Sequence, residues 1–110
     1  MEFKFGFVLS AFWSGRDRFC TEGYGKGATS LEEAVSIAKK VDSLKGVELV
    51  AGSHVNEHNL REVKRVVSDA GLQVCTVIAG IYKEPKWALG SFISNDPRIR
   101  SSAVSEVKKA

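Results

Sequence analysis

Three times along the chain an apolar run gives way to a loop and then to an apolar stripe of helical spacing. That alternation constrains the fold more than any other feature. Phe3 to Phe12 read as a first strand: Phe3, Phe5, Phe7 and Leu9 alternate with Lys4, Gly6, Val8 and Ser10, a period of two whose second face is partly buried as well. Ser30-Leu31-Glu32-Glu33 is a capping box, followed at helical spacing by Leu31, Ala34, Val35, Ala38, Val41 and Leu44, with Gly46 ending the helix. Val47 to Ala51 form a short second strand, and Gly52 to Asn59 a polar turn carrying two histidines. Leu60, Val63, Val66, Val67 and Ala70 mark a second helix that stops at Gly71. Leu72 to Ile81 are apolar enough to predict a third strand covered on both faces. After a loop holding Pro85, Trp87 and Gly90, Asp96 as N-cap and Pro97 at N1 open a third helix, with Ile99, Ala103, Val104 and Val107 on its apolar face.

Strand and helix in strict alternation predict an α/β fold of three consecutive βα units with parallel strands. Helix-to-strand connections are tight, at Gly46 and Gly71, whereas strand-to-helix connections are long and decorated. A (β/α)8 TIM barrel has that asymmetry, because its working loops follow the C-terminal ends of its strands. Such a barrel takes about 250 residues, so the 110 residues here read as one partial barrel domain spanning 1–110.

Charge and composition narrow the function classes. Sixteen basic residues against 13 acidic give +3 without a basic stripe, which argues against nucleic acid as a partner. No run approaches the roughly 20 apolar residues of a membrane span, and the N-terminus lacks a secretory pattern. Cys20 and Cys75 are too few for a disulfide framework or a cysteine zinc site, so the reading is of a reduced, cytoplasmic chain. Gly23-Tyr24-Gly25-Lys26-Gly27-Ala28 fits a dinucleotide fingerprint formally, but it lies too far beyond the first strand to make that turn. His54 and His58 stand four apart, a spacing that can hold zinc on a helix, without the glutamate that the metalloprotease motif needs directly after its first histidine.

Gly71-Leu72-Gln73-Val74 through Gly90-Ser91-Phe92-Ile93-Ser94-Asn95-Asp96-Pro97-Arg98-Ile99-Arg100 resembles xylose isomerase and the wider sugar isomerase/epimerase barrel family. The first strand, the glycine-rich loop before Ser30-Leu31-Glu32-Glu33-Ala34, and Gly46-Val47-Glu48-Leu49 are similar to that family too. The resemblance covers most of the chain but only the first three barrel units. It implies a fold completed by further units and conversion or epimerisation of a monosaccharide or sugar phosphate. A divalent metal (Mg, Mn or Zn) would be held by residues of later strands, none of its ligands coming from these residues. In xylose isomerase a histidine after the second strand sits near the sugar ring oxygen and is oriented by a carboxylate three residues on. His54 and Glu57 fall in the matching places as catalytic candidates, with Glu57 where an aspartate is more usual. Trp13, Tyr82 and Trp87 fall where the family's aromatics wall the sugar pocket. Without the later metal ligands the chain is expected to be inactive alone.

Two other readings stand beside this one. Three parallel strands with an open sheet could serve as a non-catalytic interaction module, a homo-oligomer or a chain completing a partner's barrel. A barrel of the abasic-site endonuclease type is a further alternative, which the absent basic stripe disfavours. Arg16 and Arg18, in the loop after the first strand, could engage an anionic substrate group or simply be solvated.

Overall fold

The computed structural model describes residues 3–110, so the Met1-Glu2 lead-in to the first strand lies outside the described residues. Its order is β1 (Phe5–Val8), α1 (Leu31–Lys39), β2 (Leu44–Val50), α2 (Leu60–Asp69), β3 (Gln73–Ile78) and α3 (Pro97–Lys109). Single 3-10 turns cover Leu9–Phe12 and Pro85–Trp87. The sheet is three-stranded, parallel and in chain order β1-β2-β3. Three consecutive βα units in an α/β arrangement are therefore present.

Central β2 is the buried strand. Val47 and Leu49 join Ala34, Val35 and Ala38 of α1 and Val63 and Val67 of α2 in one core, with Leu9 and Val55 sealing its end. Each large side chain buried there is worth about 1.5–3 kcal/mol over its exposed state. The edge strands differ from expectation. β3 is exposed along nearly its whole length, and Phe5 and Phe7 of β1 are 59% and 42% exposed. Only β2 has a strand on both sides and helices over it, so the apolar run of β3 is not covered on both faces as its sequence suggested.

The first helix is also shorter than its apolar repeat. It ends at Lys39, and Leu44 opens β2, so Gly46 is a strand residue rather than a helix stop. Gly46 has a packing reason to lack a side chain: a Cβ there would meet the Gln73 carbonyl oxygen at 3.2 Å and Cys75 Sγ at 3.3 Å. The β1 ladder ends at Val8, where the backbone turns into the Leu9–Phe12 3-10 segment rather than running on to Phe12 as a strand. Both expected N-caps form. The Ser30 hydroxyl accepts from Glu33 N–H at 3.2 Å, and the Asp96 carboxylate accepts from Arg98 N–H at 2.8 Å. Glu33 reaches back to Thr29, accepting from both its N–H (2.7 Å) and its hydroxyl (2.9 Å), which holds the Glu33 carboxyl below its ordinary value.

The long connection between β1 and α1 folds back on its own start. Tyr24 N–H donates to Ser14 O at 2.7 Å and Ala28 N–H to Phe12 O at 2.6 Å. Gly27 makes this approach possible, because a Cβ on it would stand 2.5 Å from Trp13 Cα and from Trp13 O. Backbone cannot yield there as a flexible side chain could. Gly27→Ala is expected to lower stability by about 1–3 kcal/mol, as overpacking does. Urea denaturation of the variant beside the parent chain measures this, and an unchanged midpoint would contradict the close approach.

Candidate functional site

A cleft of about 1090 Å³ opens at the C-terminal ends of the strands, and each of the three loops that leave the sheet contributes to it. Trp13 and Arg16 come from the loop after β1, Ser53 and His54 from the turn after β2, and Tyr82 and Lys83 from the loop after β3. Concave sites at this end of a parallel sheet are where ligands of α/β folds bind.

His54 is the best-defined group in it. The residue is only 5% exposed, and its ring stacks on the Trp13 indole with centroids 4.5 Å apart and planes 22° from parallel. Nδ1 accepts a hydrogen bond from Val50 N–H at 2.9 Å. A nitrogen that accepts from an amide carries no proton, so the ring proton sits on Nε2, which has no protein partner among the described residues. Burial first, and then the positive charge of Lys83, depress the imidazole pKa from 6.5 to about 4. At neutral pH His54 is therefore an uncharged hydrogen-bond donor through Nε2.

The turn that presents His54 is built by two asparagines. Asn56 Oδ1 accepts from His58 N–H at 2.9 Å and Asn59 N–H at 3.2 Å, while Asn59 Oδ1 accepts from Asn56 N–H at 2.7 Å. Asn59 Nδ2 donates to the His54 carbonyl at 3.1 Å, which ties the start of α2 to the histidine's own backbone. Glu57 does not orient His54 as a carboxylate partner. Its carboxylate is 86% exposed and lies 3.5 Å from His58 Nε2, an exposed contact of little energetic consequence. The orienting group is instead the Val50 amide.

The aromatics divide between two places. Trp13 and Tyr82 share the cleft with His54. Burial pushes the Tyr82 phenol up, a hydroxyl contact with Ser10 opposing it. Trp87, by contrast, is 1% exposed and forms part of the wall of a second cavity of about 610 Å³, which Glu57 also lines. Its Nε1–H is buried without a partner among the described residues, and Lys86 Nζ sits 4.7 Å above its ring. Sequence reading missed Lys83, which donates to Ser53 Oγ at 3.1 Å, and the Asn56–Asn59 pair. An Asn-x-x-Asn spacing just ahead of a helical apolar stripe was the available signal for the pair.

Because His54 is neutral when folded yet titrates near 6.5 when unfolded, the unfolded chain binds the extra proton between those values. Its contribution is complete above 6.5 and is lost as pH falls toward about 4, to the extent of no more than about 3 kcal/mol. Urea midpoints measured from pH 7 to 4 are expected to fall less steeply in His54→Gln than in the parent chain. The imidazole NMR titration of the parent chain should place its midpoint near the depressed value, unmoved by Glu57→Ala. A midpoint near 6.5, or one that shifts in Glu57→Ala, would contradict the Val50-held ring.

No protein-family model matches the chain, and no curated protein matches it.

Proposed function

We propose that this chain supplies the first three βα units of a sugar isomerase/epimerase-type barrel, and that the cleft above β1, β2 and β3 binds a monosaccharide or sugar phosphate. The observation that carries the reading is the Trp13–His54 stack: a neutral imidazole with a free Nε2–H against an indole, at the strand ends. Sugars suit such a site because they combine apolar C–H faces with dense hydroxyls. Aromatic walls take the faces and a few oriented polar groups take the hydroxyls.

In this reading Nε2–H of His54 donates to a ring oxygen or hydroxyl. A ring that protonates only near pH 4 delivers almost no proton at neutral pH, so His54 orients the sugar rather than acting as its acid. Trp13 and Tyr82 wall the apolar face. The family resemblance implies a divalent metal, but among the described residues no three histidine, cysteine, aspartate or glutamate side chains converge to hold one. These residues do not by themselves form a metal site.

A second reading, association with another copy of this chain, draws on the exposed Phe5 and Phe7 of the edge strand β1 and on the exposed Phe3 just ahead of it. Light scattering at micromolar concentration is expected to give a dimer, and a monomer would remove this reading.

Titration calorimetry with xylose, glucose and glucose 6-phosphate tests the first reading. At least one is expected to bind, with Trp13→Ala weakening it about tenfold, the loss of roughly 1.4 kcal/mol of stacking and burial. Absence of binding at tens of millimolar ligand, or affinity indifferent to Trp13, would overturn it.

A further inference from the structure

We infer that Lys83 and Arg16, which both line the cleft, form an anion subsite where a phosphate monoester group is held with help from the Ser53 hydroxyl. The inference deepens the sugar reading and rests on it only for the remainder of the ligand.

Both cations line the cleft, and they come from different loops, one after β3 and one after β1. Lys83 is half-buried and Arg16 exposed. Among the described residues neither has a carboxylate within 4.0 Å. The ammonium of Lys83 instead donates to Ser53 Oγ at 3.1 Å. Burial and the like charge of Arg16 both pull Lys83 below its ordinary value, so the two groups feel each other without a counter-ion between them. A half-buried cation in the same cleft as a second unpaired cation is unfavourable unless something of opposite charge joins them.

The acidic residues of the cleft are differently placed. Asp17 is occupied by its own loop: its carboxylate accepts from Phe19 N–H (2.8 Å), Cys20 N–H (2.9 Å) and the Tyr24 hydroxyl (3.1 Å). Glu84 is paired with Lys86 at 3.2 Å. Glu22 is exposed and makes no ion pair among the described residues. The protein thus answers two of its three cleft carboxylates and leaves the three cleft cations, Arg16, Lys26 and Lys83, without an ion pair among the described residues, Lys83 alone of them being half-buried. A phosphate monoester carries about −1.5 to −2 at neutral pH and three acceptor oxygens, a match in charge and in donors for an ammonium, a guanidinium and a hydroxyl.

Calorimetry with glucose, glucose 6-phosphate and inorganic phosphate, at low and at physiological salt, tests the subsite. Glucose 6-phosphate is expected to bind at least about tenfold tighter than glucose, and Lys83→Gln or Arg16→Gln to cut that preference by about tenfold. Lys45→Gln, which removes the same charge from the far end of β2, should leave the preference unchanged. Equal affinity for glucose and its phosphate, or a preference that survives Lys83→Gln, would overturn the subsite. Inorganic phosphate that binds through Lys83 while neither sugar compound exceeds it would keep the subsite and overturn the sugar reading. Glucose that binds without any gain from the phosphate would do the reverse.

Discussion

The hydrogen bond from Val50 N–H to His54 Nδ1 is where fold and site meet. Successive amides of a strand point to opposite edges. Ala51 N–H is directed at β3, donating to Ile78 O at 2.9 Å, so the amide of Val50 faces the side of β1. No β1 residue is there to receive it, because the β1 ladder ends at Val8 opposite Glu48 and the backbone then curls into a 3-10 turn. An orphan amide at the end of a buried strand costs about 1–3 kcal/mol. The imidazole takes the place of the missing carbonyl. In doing so it becomes buried, uncharged and fixed in one tautomer, so a structural requirement of the sheet sets the chemistry of the ring.

The early end of β1 depends in turn on the glycine-rich loop. Trp13 follows directly on the 3-10 turn and must lie flat on His54. What keeps it there is the return of the loop, bonded to Phe12 and Ser14 and passing close over the Trp13 backbone at Gly27. The same loop delivers Thr29 to Glu33 and starts α1, whose alanines pack behind the 3-10 turn. Loop, stack and helix start are one assembly. Spacing that fails as a nucleotide fingerprint thus has a steric use, with Gly23 at a positive φ of 92° and Gly27 at the point of closest contact.

Periodicity made the alternating elements and both side-chain caps legible in the sequence, because amphipathic faces and capping residues act locally. Its errors share a cause. Gly46 resembled a helix stop, and β3 a doubly covered strand, since sequence pattern reports how apolar a segment is and not what lies beside it. At the site, His54, Trp13 and Tyr82 were readable as residues that follow strands, and the fold brings those three to one cleft. Glu57 and Trp87 followed strands as well, but a turn held by Asn56 and Asn59 sends the carboxylate outward, and the Pro85–Trp87 turn buries the indole. Whether a side chain three residues along a turn faces in or out depends on hydrogen bonds between residues that a motif leaves unspecified.

Lys83 gives the cleft its electrostatic logic. It opposes protonation of His54, yet its charge is the smaller of the two causes of that depression, behind burial. An anion bound at Lys83 and Arg16 would cancel most of the smaller cause and none of the larger, and by closing the cleft it would deepen burial. His54 would then remain neutral with ligand in place, still donating through Nε2. On the proposed reading an anionic group would sit beside the imidazole without turning that imidazole into its counter-ion. In the proposed reading, recognition of charge would fall to cations on two loops, and recognition of an uncharged oxygen to the His54 ring held by the Val50 amide.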